Sequence, residues 1–276
     1  MIVTRIDSLD LPELEPYRTL RRTVEHHRQG LFVAEGEKVV RQLLESNLTV
    51  TSVLMTPEWF EAFGPVLESR PIEAFVAPKT QVETIVGFPL HQGIMALGRL
   101  PAERSLSETL AASPRPLFLV AIDGLTNAEN IGVLVRNCGA FGVQAIIVGE
   151  TSSSPYLRRA VRSSMGAVFQ LPVIHSARLS DSLTDLRSRF NTRVLAAHPG
   201  GTQELAETDL RGNCCLVLGS EGEGISDSVL KQCDAALSIR MENGVDSLNV
   251  GSASAVFLFE AVRQRERKDR NSRTSE

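Results

Sequence analysis

Ile239-Arg-Met-Glu-Asn-Gly-Val-Asp-Ser-Leu-Asn249 runs directly into Val250-Gly-Ser-Ala-Ser-Ala-Val-Phe-Leu-Phe-Glu260. A strand-like run, Ala236 to Arg240, stops in a polar loop, and Ser247 and Asn249 stand where an apolar helix begins. This layout sets hydroxyl and amide side chains, with the unpaired N–H groups of a helix start, at one edge of a sheet. In open α/β sheets, ligands gather at such strand-to-helix turns. Ser and Asn are also preferred helix caps. Taken alone, the stretch supports a cap as well as it supports a site.

Two further stretches repeat the layout. Ile122-Asp-Gly-Leu-Thr-Asn-Ala-Glu-Asn130 follows the apolar run Leu117 to Ile122. It leads through Asn130 into a helical pattern with apolar residues at 131, 134, 135, 138 and 141, and Arg136 in its second turn. Leu216-Val-Leu-Gly-Ser-Glu-Gly-Glu-Gly-Ile225 follows another strand-like run and places glycines at 219, 222 and 224. That order is G-x-x-G-x-G, deep in its domain, and does not fit the dinucleotide fingerprint. Three strand-to-helix ends point to one composite site. Strand-like runs at about 117–122, 145–149, 168–174, 193–197, 214–218 and 236–240 alternate with helical segments. Such alternation predicts an α/β fold with a parallel sheet covered on both faces.

The trio NAENIGVLVRNCGAFG, VLGSEGEGIS and IRMENGVDSLNVGSASAVFLFEA closely resembles, in order, the three signature motifs of the SpoU/TrmH family. The resemblance covers roughly Leu117 to Arg265. It implies an S-adenosylmethionine-dependent RNA 2'-O-ribose methyltransferase with the SPOUT fold, including a carboxy-terminal trefoil knot. By motif, Gly219, Ile239 and Leu248 correspond to cofactor contacts, and Asn130 and Arg136 to catalytic positions. Glu221, Ser247 and Asn249 complete the expected catalytic set, the last two by hydrogen-bonding the hydroxyl or the cofactor's carboxylate end. The chain departs from the pattern at Asn127-Ala128-Glu129, where many relatives have Asp-Pro-His, and at Gly251-Ser252, where Ser-Val is more usual.

The residue types suit that chemistry. A sulfonium methyl is already electrophilic, so alignment can supply about 7–11 kcal/mol of the barrier reduction and a strong base is not essential. Asn, Ser, Arg and backbone amides, without a histidine, meet this need. Glycine at 219 lets a backbone approach a ligand closely, and Ile239 and Leu248 offer apolar contact to adenine, unless they only fill the core. An arginine bordering an apolar stripe usually pairs with a carboxylate or snorkels. A guanidinium stays protonated. Arg136 is therefore expected to grip the phosphate beside the target ribose, with Glu221 orienting it, rather than to act as a base.

Before Leu117 the chain reads as a small α/β unit over 1–104, followed by a linker over 105–116 in which Ser105-Leu-Ser-Glu108 has capping-box spacing. FVAEGEKVVRQLLES and HQGIMALGR resemble the amino-terminal, ribosomal-protein-like substrate domain of many SpoU-type enzymes. The net charge of −4 argues against a nonspecific nucleic-acid coat. Positive charge is clustered instead. RNA contacts are expected at Arg21, Arg22 and Arg28, and at Arg158, Arg159 and Arg162, whereas the run from Arg263 to Arg273, in a basic tail from about 264, reads as a solvated helix face.

The sequence also narrows what else the protein could be. Cys138, Cys214, Cys215 and Cys233 lack metal-ligand spacing and read as buried reduced thiols, and His26, His27, His91, His175 and His198 form no ligand pattern. No metal is expected. No apolar run reaches the roughly 18 residues of a membrane span, and the start lacks a targeting signature, so a soluble cytoplasmic protein is expected. The apolar belt from Ala253 to Val262 is wider than one helix face and predicts a homodimer. Ribosomal RNA is the expected substrate. A transfer-RNA 2'-O-methyltransferase and a non-catalytic RNA-binding or ribosome-assembly protein are the alternatives, and base methylation fits the motifs less well. A chain beginning near Ser105 is expected to keep cofactor binding and lose most RNA affinity.

Overall fold

The computed structural model describes residues 1–20, 22–86 and 93–273, the side chains of 23, 24, 84–86 and 267–273 excepted. Contacts divide the chain into two units: Met1–Ala102 with Tyr156–Gln170, and Glu103–Pro155 with Leu171–Glu276.

The first unit is built on a five-stranded mixed sheet. Its strands are β1 (Ile2–Arg5), β2 (Leu31–Glu35), β3 (Val50–Met55), β4 (Glu73–Val76) and β5 (Ile94–Arg99), in the order β1-β4-β3-β5-β2. β1 and β3 run parallel to β4, while β5 is antiparallel to β3 and β2. β1 is an edge strand that the sequence reading missed, because all four of its residues are exposed and carry no alternation. The excursion Tyr156–Gln170 belongs to this unit through contacts on β2. Phe32 meets the rings of Tyr156 and Phe169, each with centroids 5.4 Å away. Removing 1–104 would strip these rings of their partner. A chain beginning near Ser105 therefore exposes apolar surface, and the expected clean separation at that point does not hold.

The second unit carries seven strands: β6 (Phe118–Asp123), β7 (Ala145–Val148), β8 (Val173–His175), β9 (Arg193–Ala197), β10 (Gln203–Glu204), β11 (Cys214–Gly219) and β12 (Ala235–Ser238). Their order is β10-β12-β9-β11-β6-β7-β8, and every neighbouring pair is parallel. Parallel strands are covered on both faces and so read as continuous apolar runs, as all six buried residues of β6 show. One face packs Leu119, Ala121, Ile147, Val194 and Val217 against Leu183 and Leu186 of the helix Leu179–Phe190. The helix Val250–Arg273 packs on the helix Ala128–Ala140 and on β11.

Several boundaries differ from expectation. Residues 167–169 form a 3-10 turn, so the strand expected over 168–174 starts only at Val173. β12 stops at Ser238, two residues early. The expected linker is part of the second unit. Ser105 caps the helix Leu106–Ala111 in a complete capping box with Glu108, and Leu110 is buried in the core. All four cysteines are free, with Cys138, Cys214 and Cys215 buried. Burial raises their thiol pKa values, that of Cys233 to about 12, so none is a thiolate near neutrality. Among the described residues no metal-ligating cluster occurs, and no helix is long and apolar enough to cross a membrane.

Arg265 was expected on a solvated face. It instead donates to the carbonyls of Leu210 (3.1 Å), Leu117 (3.1 Å) and Gly212 (2.7 Å) and lies 4.6 Å from the Phe118 ring centroid. It thus ties the last helix to the starts of β6 and β11. Charge-assisted hydrogen bonds of this kind contribute about 1.5–3 kcal/mol each before coupling. Arg265→Ala is expected to lower unfolding free energy in urea by roughly 2–4 kcal/mol. Arg265→Lys should restore less than half of that, because one ammonium cannot reproduce the fork.

Candidate active site

At the carboxyl ends of β9, β11 and β12, three connecting loops meet in the second unit. They enclose a cleft of about 450 Å³ lined by residues 197–199, 218–224 and 246–250, with Leu237, Ile239, Met241, Ala253 and Phe257. This volume lies within the roughly 300–1,000 Å³ typical of sites for cofactor-sized ligands.

The glycine loop forms one wall. Gly219 ends β11, and a Cβ there would stand 2.3 Å from the Gly224 carbonyl carbon. The backbones of Ser220 and Gly224 bond reciprocally at 3.0 and 3.1 Å, and Gly224 has φ +72°. The loop therefore needs Gly219 to close on itself, before any ligand approaches. Asp123 fixes its exit. This buried carboxylate, at the end of β6, accepts from the Ser226 N–H at 2.8 Å. Sequence reasoning missed Asp123, although an acid closing an apolar strand is itself a signal.

The second wall begins at Asn249, which joins all three motif segments. Its Oδ1 accepts from the Gly251 N–H at 2.9 Å, capping the Val250–Arg273 helix. Its Nδ2 donates to Asn130 Oδ1 at 3.1 Å and also to Glu221 Oε1. Glu221 further accepts from the Val250 N–H at 3.4 Å, setting a carboxylate at the positive end of a helix. Glu221 is thus engaged with Asn249 rather than orienting Arg136.

Asn130 does not cap its helix. Asn127 does, accepting from the N–H groups of Glu129 and Asn130. The helix starts three residues before the apolar periodicity, which leaves Asn130 free to reach Asn249. Seven residues on, Asn137 faces the same way and donates to the Gly251 carbonyl (2.8 Å) and to Ser254 Oγ (2.9 Å). That spacing was the available signal for Asn137. Gly251 is explained here too, since a Cβ would lie 2.7 Å from Val133 Cγ1.

Ser247 and Leu248 are exposed on the cleft and Ile239 is half-buried in its lining. Ser247 makes no side-chain hydrogen bond among the described residues. Arg136 is exposed, lies outside the cleft lining and has no hydrogen-bond or ion-pair partner among the described residues. His198, which no motif contains, also lines the cleft.

The basic residues expected to contact RNA fall in the first unit. Arg22 is exposed and 3.5 Å from Glu25, and Arg28 and Arg159 are exposed. Arg158 is different: at 16% side-chain exposure it binds Glu35 at 2.7 Å, and Arg162 approaches the same carboxylate at 3.9 Å. A half-buried Glu35 needs a cation beside it. Arg158 is therefore committed to the fold rather than offered to a partner. Arg21 lies outside the described residues.

Residues 117–259 match the model of the SpoU rRNA Methylase family. The 23S rRNA (guanosine-2'-O-)-methyltransferase RlmB of Haemophilus influenzae is 38% identical over 181 residues, covering 64% of this chain and 72% of its own. An AdoMet-bound rRNA methyltransferase from Sinorhizobium meliloti superposes with a TM-score of 0.82 at 23% identity, over 95% of this chain and 98% of its own. A TrmH-family RNA methyltransferase of Porphyromonas gingivalis, described as putative, gives 0.77 at 26% identity, over 93% and 99%.

The glycine loop yields a test independent of any ligand. Gly219→Ala must push the Gly224 backbone away, at a cost of about 1–3 kcal/mol. Hydrogen exchange at Ser220 and Gly224 should accelerate markedly in the variant. Unchanged protection there would show that the loop accommodates a methyl.

Proposed function

This chain belongs to the SpoU rRNA methylase family, and on that premise we propose that it transfers a methyl group from S-adenosylmethionine to a ribose 2'-hydroxyl of ribosomal RNA. The observation that carries the reading is the convergence of all three motif segments on Asn249 beside a cleft of cofactor size. The bound cofactor supplies an electrophilic sulfonium methyl. Gly219, Ile239 and Leu248 are the residues that would hold it, the last two against its base.

The chain's own groups divide the remaining work. Both polar atoms of the Asn249 amide are taken up within the protein, so Asn249, Asn130 and Glu221 act as positioning residues. The Ser247 hydroxyl, without such a bond, is the group left to face the ligands. Arg136 keeps its positive charge and an unshared planar fork, suited to the phosphate beside the target ribose and to a developing alkoxide. The exposed Arg22, Arg28, Arg159 and Arg162 support RNA delivery by the first unit, as a ribosomal-protein-like substrate domain would do.

A homodimer and the family's trefoil knot belong to the same reading. Phe257, Leu258 and Ala261 are buried, while Val256 and Phe259 on the same helix are 40% and 56% exposed, with Val133 at 39% on the helix packed beside it. A helix apolar on more than one side calls for a second cover, and a copy seated there would border Arg136. Light scattering at micromolar concentration should give twice the chain mass; a monomer would remove the dimer from the reading. For the knot, support comes from family membership and from a strand order that departs from chain order at β12-β9-β11-β6.

Incubation with S-adenosylmethionine and unmodified ribosomal RNA should yield a single class of 2'-O-methylated nucleotide. Methylation of transfer RNA alone would move the substrate to the alternative, and none at all would favour a binding protein. Arg136→Ala should lose most turnover, at least about a hundredfold, with cofactor affinity within about twofold. Arg136→Lys should retain activity well above alanine from pH 6 to about 10, since it keeps the charge. A lysine variant that becomes more active toward neutrality would instead assign Arg136 as the base.

A further inference from the structure

We propose that His198 is a recognition residue of the cleft, donating its Nε2–H to the nucleoside end of the bound cofactor. The inference rests on the cofactor reading above and names a residue that no motif contains.

His198 follows β9 directly. Its backbone N–H donates to the Leu237 carbonyl at 3.0 Å, which seats the residue beside β12 and at the cleft wall. Its ring Nδ1 accepts from the Gly200 N–H at 3.0 Å. A backbone amide can only donate, so Nδ1 presents its lone pair and the neutral ring carries its proton on Nε2. The tautomer is therefore set by the turn, and the atom left over is a donor. The side chain is half-buried rather than solvated.

The surroundings indicate which end of the ligand this donor meets. Ala197 and Pro199 flank His198 along the chain and Leu237 accepts from its N–H, so its nearest shown neighbours are apolar. The carboxylates of the lining, Glu221, Glu223 and Asp246, belong instead to the segments after β11 and β12. A sulfonium and an ammonium are favoured near carboxylates. A flat neutral base is favoured on the apolar side, where one fixed donor can satisfy a purine ring nitrogen or a ribose oxygen.

The test uses the full chain and two probes, S-adenosylhomocysteine and 5'-methylthioadenosine, which has the nucleoside without the amino-acid end. His198→Asn keeps an acceptor near the Nδ1 position for Gly200 and removes the reach of Nε2. His198→Gln restores a donor at that reach. A neutral hydrogen bond corresponds to roughly a 2- to 12-fold change in affinity. Calorimetry should show His198→Asn weakening both probes by one common factor in that range, and His198→Gln recovering much of it. Equal affinity of wild type and His198→Asn for both probes would overturn the assignment. So would a loss confined to S-adenosylhomocysteine, which would place His198 at the amino-acid end. If the wild-type chain binds neither probe, the cofactor reading itself fails, and that outcome is separate from a failure of His198.

Discussion

One side-chain amide carries the geometry of the site. Asn249 caps the last helix, meets Asn130 from the first motif and meets Glu221 from the second. Each of these segments is otherwise only the end of a different strand or helix, and loops at sheet edges are the parts of a fold most free to wander. The Asn249 amide uses both its oxygen and its nitrogen inside the protein, so any change there loosens three segments together. Such coupled networks are worth more than the sum of their pairwise bonds. The catalytic groups proposed here, Ser247 and Arg136, stand beside this network and are not part of it.

Beneath that amide lies a division between residues that shape the cleft and residues that face into it. Asp123, Gly219 and Gly224 determine the course of the glycine loop by hydrogen bonding and by the absence of a side chain. Asn137 holds the helix that bears Arg136 against the first turn of the helix that Asn249 caps. Preorganisation of this sort is where a reaction driven by alignment obtains its rate.

The parallel sheet was readable because buried parallel strands are continuous apolar runs, and Leu117 to Ile122 is one. The three motif loops were readable because Gly, Asn and Ser mark where such runs end. What failed did so for local reasons. The start of the helix was misplaced because the apolar periodicity begins at Ile131, whereas the helix itself begins three residues sooner at Ala128, behind the Asn127 cap. Arg158 and Arg265 were counted as surface charge because a sequence shows that an arginine is present but not which carboxylate or carbonyl lies opposite. β1 left no trace, since an exposed edge strand has no buried face to impose alternation. His198 was passed over because its role comes from a neighbour two residues on and a strand nearly forty residues away.

The excursion of Tyr156–Gln170 bears on biosynthesis. Phe32 sits near the beginning of the chain, yet the rings that cover it are not made until Phe169 has been added. The first unit cannot finish folding on the ribosome as an independent bead when its own hundred residues emerge. It must wait, with an apolar face open, while β6 and β7 of its neighbour are being synthesised. The two units are thus stitched through the order of translation, and neither could be exchanged between proteins by a single cut and join.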